Sequence, residues 1–403
     1  MERNDAVDMT AMRGKIREWA RALREEYLRD LKRIVDMDSP TDDKAGVDAV
    51  GSVVRGWLEA GGGTVETFPQ SARGDHLRAT WQGVAGSPVV VLVGHIDTVF
   101  PTGTVAQRPF TITGNRATGC GVSDMKSGIL SGIYALRILR DLGVPLPTVR
   151  YVINTDEEVG SLTSRALIEE TAKGADAAYV LEPGRAVGPG CVVTTRKGIG
   201  LYDLRVTGKA AHAGGEPWRG RSANLEMAHK IIALHALTSP DLRAGNTEGV
   251  SVNVGVVTGG TRRNVVAAEA YAEIDLRVPT AASLVAVEAA MREIAARATV
   301  PDTTGELTGG INRPPMERTG AQGRLLAIAE EILGGWDIPI EPIGTGGGSD
   351  GNFTAAIGTP TLDALGPMGG GAHSPEEFLD LPSLPDRIAL VASLIAETVR
   401  REK

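Results

Sequence analysis

Apolar residues recur near helical spacing through residues 12–35, at Ile16, Trp19, Leu23, Tyr27 and Leu31, which predicts an amphipathic helix. A second such run, 47–58, ends at Gly61-Gly62-Gly63, a helix stop. Residues 88–93, PVVVLV, are continuously apolar, as a strand buried on both faces must be. Residues 125–142 read as a helix and 149–154 as another strand. Helix and strand then alternate again through 165–181. This alternation predicts an α/β domain built on a largely parallel sheet.

The character changes near Gly198. Residues 200–206 alternate like a half-exposed strand, a helix is predicted over 223–237, strands over 250–257 and 268–278, and a helix over 282–296. Helices with antiparallel strands fit an α+β insert. After Ile311 the pattern returns to helix (323–333), strand (360–365) and helix (384–397). The expectation is one catalytic domain made of 1–196 and 312–403, interrupted by an insert at 197–311.

Composition narrows the function classes. The chain has 403 residues, enough for two or three domains and a sizeable core. Its net charge is −8 and aromatics are 4%, a poor basis for binding phosphate backbones or stacking bases, so no nucleic-acid partner is expected. No apolar run is long enough to cross a membrane, and the N-terminus is polar, so a cytoplasmic location is expected. Cys120 and Cys191 are the only cysteines, which excludes a disulfide scaffold or a Cys-rich zinc module.

The chemistry is in the histidines and acids. His95 and Asp97 stand in GHIDTVF at the end of the buried strand, where α/β sheets bind ligands. A histidine with a carboxylate two residues on suits a metal ligand and its orienting partner, or is merely a polar strand end. Asp124, in GCGVSDMKSG, suits a ligand or a helix N-cap. Asp156-Glu157-Glu158 follow a buried strand, where three acids repel one another unless a cation compensates or solvent surrounds them. Glu182 follows another short strand in YVLEPG, and His373 sits in GGGAHSPEE. Together these residues form an N/O donor set suited to Zn²⁺, Mn²⁺ or Co²⁺, sufficient for two ions sharing a carboxylate with another carboxylate left as base. There is no HExxH helix.

GHIDTVF, GCGVSDMKSG, NTDEEVGS, LEPG, GKAAHAG and GGGAHS resemble, in order and spacing, the co-catalytic di-zinc metallopeptidases that include aminoacylase, acetylornithine deacetylase and succinyl-diaminopimelate desuccinylase, and most of all bacterial glutamate carboxypeptidase. The resemblance runs from about residue 31 to 399. It implies a zinc-exopeptidase-like α/β catalytic domain, interrupted by an α+β lid and dimerisation domain, and a homodimer. It also implies two divalent metal ions, zinc foremost with manganese or cobalt possible. His95 and Glu182 would hold one ion, Glu158 and His373 the other, and Asp124 both. Asp97 would orient His95. Glu157 would be the general base, taking a proton from the attacking water and delivering it to the leaving nitrogen. His212, in GKAAHAG, would reach a substrate oxygen.

Asn264 and Arg277, in RRNVVAAEAYAEIDLR, and Arg313, in INRPP, would bind a substrate carboxylate. Gly347 and its glycine neighbours would let the substrate approach the backbone. The run Asn264-Val265-Val266-Ala267 lacks the proline common in the family after that Asn. The implied activity is cleavage of an amide C–N bond next to a carboxylate-bearing small molecule. The alternative is an aminohydrolase or deacylase acting on an aromatic amine acid or an N-acyl amino acid. A non-catalytic binding relative would have lost a ligand or Glu157, and none is lost.

Overall fold

The computed structural model describes residues 9–185, 188–240, 242 and 248–398. The first eight residues of the polar N-terminus, and Val399 where the family resemblance ends, lie outside them. The chain divides into two compact units, one up to residue 194 with 318–343 and 349 onward, the other comprising 195–317 and 344–348. The predicted insert, 197–311, is thus extended at its C-terminal end. The strand Thr304–Arg313, which the glycine-interrupted sequence TGELTGGINR hides, runs beyond Ile311, and Met316 still pairs with Arg196.

The first unit holds a six-stranded sheet in the order Thr64–Phe68, His76–Trp81, Thr148–Asn154, Val89–His95, Ala177–Val180, Thr361–Leu362. The last four run parallel and the first two antiparallel to their neighbours. The burial of Val89–His95 explains its continuous apolar run. Val90 and Leu92 pack into the main core with the helix Lys126–Asp141, while Val91 and Val93 pack with Ala172, Ala175, Ala178 and Val180. Each of these buried valine and leucine side chains contributes about 1.5–3 kcal/mol.

The long helix predicted at 12–35 is two helices, Met9–Ala22 and Arg24–Val35, hinged at Leu23. The first packs on the C-terminal helix Leu384–Thr398 and the second on Lys126–Asp141, so the chain bends between two partners. Gly128 brings Lys126–Asp141 against the end of the fifth strand. A Cβ at Gly128 would stand 1.9 Å from the Leu181 carbonyl oxygen, so no larger residue fits.

A small antiparallel sheet, in the order Gly369–Gly370, Phe378–Asp380, Arg116–Thr118, Thr111–Thr113, accompanies this core. Its strands are two or three residues long, too short for hydrophobic periodicity to announce them.

The second unit is an antiparallel sheet in the order Ser251–Gly259, Glu269–Val278, Gly198–Thr207, Thr304–Arg313. The alternation read at 200–206 is real: Tyr202, Leu204 and Val206 are buried, and Leu201, Asp203 and Arg205 are exposed. The helices Ala223–His235 and Ala281–Ala296 cover the buried face. Ser222 caps the first through the Leu225 N–H, and Thr280 and Ser283 form a capping box on the second.

Candidate metal centre

His95 is the last residue of the strand Val89–His95 and is buried. Its Nδ1 lies 3.1 Å from the Asp97 carbonyl oxygen and 3.3 Å from Asp97 Oδ1. Asp97 is itself fully buried. Its carboxylate accepts the Thr41 hydroxyl at 2.8 Å and the N–H groups of Glu157 and Glu158, each at 3.3 Å. One carboxylate therefore orients the imidazole and also fixes the turn that carries two more acids. Burial alone would push the Asp97 pKa up. The contact with His95 and these hydrogen bonds outweigh it and hold the carboxyl below its usual range.

Asp124 does not cap the helix that follows. The N-cap is Met125, with no side-chain hydrogen bond. The Asp124 carboxylate turns instead between two histidines, with Oδ1 3.2 Å from His95 Nε2 and Oδ2 3.3 Å from His373 Nε2. His373 Nε2 is also 3.0 Å from Glu158 Oε2, and Glu182 Oε1 is 3.8 Å from His95 Nε2. Ligand atoms of His95, Asp124 and Glu158 all lie within 4.8 Å of one another. His95 Nε2 is buried and makes no hydrogen bond. A buried imidazole nitrogen without a hydrogen bond, facing carboxylates, is the arrangement a cation completes. The donors fit divalent metal ions.

The electrostatics agree. Burial opposes a charge on His95, but Asp124 and Asp97 outweigh it and raise its pKa well above the ordinary value. Hydrogen bonds to Asp124 and Glu158 push His373 up to about 10. Burial raises Glu158. Burial also works against the Asp124 charge, yet His373 and His95 pull its pKa below the usual carboxylate range. The neighbouring acids favour the protonated form of both imidazoles. A divalent cation would displace those protons.

Glu157 and Glu158 open a short 3₁₀ turn, Glu157–Val159, beyond the strand Thr148–Asn154. Asp156 anchors it: its carboxylate accepts the Thr163 N–H at 2.7 Å and the hydroxyls of Thr163 and Ser164 at 2.8 and 2.6 Å. The sequence placed Asp156 in the acidic run without distinguishing it from its neighbours. Its burial is the distinguishing signal, and only the fold supplies it.

Residues 347–351, GGSDG, fit the spacing of a nucleophile elbow. Ser349 is nevertheless fully buried. Its hydroxyl donates to Asp363 and accepts the Gly351 N–H, with no histidine among these bonds.

The remaining candidates lie on the second unit, in two groups. His212 and Asn264 are exposed neighbours on paired segments, with Ala213 N–H bonded to the Asn264 carbonyl at 3.0 Å. His212 Nδ1 accepts the N–H groups of Gly214 and Gly215 at 3.2 and 2.9 Å, which leaves the ring proton on Nε2. Arg277 stands at the far end of Glu269–Val278, held bidentately by Asp275 at 2.8 and 2.9 Å, and reaches the Gly346 carbonyl at 3.5 Å. Arg313 is buried beside Gly348, where a Cβ would stand 2.7 Å from Arg313 Cδ. Gly347 is fixed by Arg196, which donates to its carbonyl at 3.2 Å. Arg196 and Lys197, both buried and both hydrogen-bonded to residues 345–348, are cations that no sequence motif marked.

Residues 91–397 match peptidase family M20/M25/M40. The chain belongs to this family. Carboxypeptidase G2 of Pseudomonas sp. (strain RS-16) is 31% identical over 378 residues, covering 92% of this chain and 88% of that protein. Acetylornithine deacetylase of Proteus mirabilis is 29% identical over 384 residues, covering 91% and 93%. The fold is also that of Bacillus subtilis YxeP, a dinuclear metal binding peptidase of family M20, with a TM-score of 0.69 at 17% identity, covering 94% and 99% of the two chains. As a family M20 member the chain is a metal-dependent hydrolase. No helix among its described residues is long and apolar enough to cross a membrane.

Proposed function

We propose that this M20 enzyme hydrolyses an amide C–N bond next to a carboxylate-bearing group, as a carboxypeptidase or amidohydrolase. The observation that carries the reading is the meeting of His95, Asp124, Glu158 and His373, from four separate segments, with the buried His95 Nε2 lacking a hydrogen bond. Two divalent ions, zinc foremost with manganese or cobalt as substitutes, would supply a Lewis acid for the scissile carbonyl and lower the pKa of a water.

The protein's own residues do the rest. His95 and Glu182 form one half of the donor set, Glu158 and His373 the other, and Asp124 serves both. Asp97 keeps His95 in the tautomer that presents Nε2. Glu157 takes a proton from the attacking water and passes it to the leaving nitrogen. His212, with its proton on Nε2, donates to the carbonyl oxygen as negative charge grows there. Asn264, Arg277 and Arg313 bind the substrate carboxylate, for which a planar guanidinium is well shaped, and Gly347 leaves the backbone open to close approach.

The similarity to acetylornithine deacetylase supports a second reading, removal of an N-acyl group from an amino acid. Metal analysis combined with a hydrolysis screen separates the two. Dipeptides, folates, N-acyl amino acids and aminobenzoates are offered, each with and without its free carboxylate. Turnover confined to free carboxylates, with two ions per chain, is expected. Full activity after chelation would end the metal reading, and equal turnover of carboxylate-free amides would end the role given to the arginines.

The second unit is proposed to form a homodimer. Leu225 and Ile232 are exposed on Ala223–His235, and Val256 and Val257 on the outermost strand, Ser251–Gly259. That edge of the sheet has no neighbouring strand among the described residues. A monomer by light scattering at micromolar concentration would dismiss the dimer.

A further inference from the structure

The chemistry just described makes no use of Glu377, a fully buried residue four positions after His373. Its Oε1 accepts the N–H groups of Ser123 and Asp124 at 2.8 and 2.9 Å, and its Oε2 accepts the Gly121 N–H at 3.0 Å. Three main-chain donors of the loop ending at Asp124 thus converge on one side chain of the segment that carries His373. Burying a carboxylate is costly unless its oxygens are hydrogen-bonded, and these three bonds offset part of that cost.

The small antiparallel sheet frames this contact. Phe378, next to Glu377, pairs with Thr118 on the strand leading into the Asp124 loop, and Gly370 pairs with Phe378. Gly369 lies so close to the same loop that a Cβ there would stand 2.1 Å from Ser123 Oγ. Between these strands the chain reverses through positive φ at Gly371 and His373, +67° and +63°. His373 is otherwise on an exposed loop. The strand pairing and Glu377 tie its segment to the loop that ends at Asp124.

We infer that Glu377 is a positioning residue that clamps the Asp124 loop to the His373 loop, and so sets the spacing of two metal donors that are distant in sequence. The inference rests on the metal-centre reading above. Without the clamp the Asp124 carboxylate would be free to turn from both histidines. The Gly121, Ser123 and Asp124 N–H groups would be left to solvent or unpaired.

The test is a zinc titration against a competing chelator, run on the full chain and on Glu377→Gln below the melting temperature of both metal-free proteins. The amide keeps the shape of the side chain but turns an N–H₂ toward backbone N–H groups. A loss of about 10–100-fold in zinc affinity is expected, as for other residues that orient ligands from behind. Glu377→Asp, which keeps the charge and falls one methylene short, should lose less. A purely structural role would lower the melting temperature of metal-free Glu377→Gln and leave its zinc affinity unchanged, and that result overturns the inference. If Glu377→Gln does not fold, Glu377→Asp decides alone: weakened zinc binding supports the clamp and unchanged binding overturns it. An unmodified chain that binds no zinc would overturn the metal reading itself, and the clamp with it.

Discussion

Asp97 and Arg277 show how differently the two units hold their charged groups. Asp97 is fully buried and its carboxylate is engaged by Thr41, His95 and two backbone N–H groups, so its position is over-determined. Arg277 is half-buried and held by Asp275, two residues away on its own strand, with one long contact to Gly346. The same contrast separates His95, locked at a strand end, from His212, exposed and held through two glycine N–H groups. The first unit fixes its donors from behind with buried partners, as chemistry at a metal requires. The second presents its groups on strand ends and turns, the placement that the proposed substrate-binding roles call for.

The largest expected effect sits where that fixing is densest. Asp124→Ala removes the carboxylate set between His95 and His373, 3.2 and 3.3 Å from their Nε2 atoms, so metal analysis should find fewer than two ions per chain and turnover should fall below detection. Two ions retained with measurable activity would show that Asp124 is dispensable and that the contrast is misplaced.

Next come the adjacent acids. Glu157→Gln should keep both ions and bind substrate but turn over at least about 10²-fold more slowly, as for loss of a positioned acid–base group. Glu158→Gln should weaken metal binding, because a neutral amide is a poorer donor. Metal content measured beside turnover decides, and the opposite pattern would exchange the two roles.

On the second unit, Arg277→Ala should raise KM by about 10–100-fold, in line with losing a charge-assisted hydrogen bond, with a smaller change in kcat. Metal content should stay the same. A loss of bound metal on changing Arg277 would break the distinction between the units.

The smallest effect is on pH dependence. Hydrogen bonds to Asp124 and Glu158 push the His373 pKa up to about 10. A bound ion must displace that proton, so zinc affinity should rise with pH through neutrality, by about tenfold per unit for each proton released. The sign for stability runs the other way. The proton-mediated pairing of His373 with the two acids stabilises metal-free protein fully below the ordinary histidine pKa and is lost as pH rises toward 10. Isothermal titration in buffers of different ionisation enthalpy would count the protons, and affinity independent of pH would exclude His373 as a donor.

Much of this was legible in the chain. PVVVLV could only be a doubly buried strand, and His95, Glu157, Glu158 and Glu182 follow short apolar runs, so their clustering at one end of the sheet follows from local pattern and the rule that parallel strands end together. The helices at 126–141, 223–235 and 281–296 fall where hydrophobic spacing puts them. The kink at Leu23 was hidden because apolar spacing continues across it and only the two partners differ. The strand Thr304–Arg313 was hidden by its glycines and exposed positions.

What the sequence determined by itself is the chemistry: which donors exist, the order of the motifs that carry them, and the α/β frame, because periodicity and residue type act over a few neighbours. What tertiary structure alone decided is the registry between distant segments. Phe378 beside Thr118, Glu377 on the N–H groups of Gly121, Ser123 and Asp124, and Asp97 on the turn of Glu157 are contacts between residues far apart in the chain. Glu377, two residues after Pro375, cannot be told from a solvated loop residue until the fold buries it. Only then does its carboxylate need donors, and the loop that ends at Asp124 supplies them.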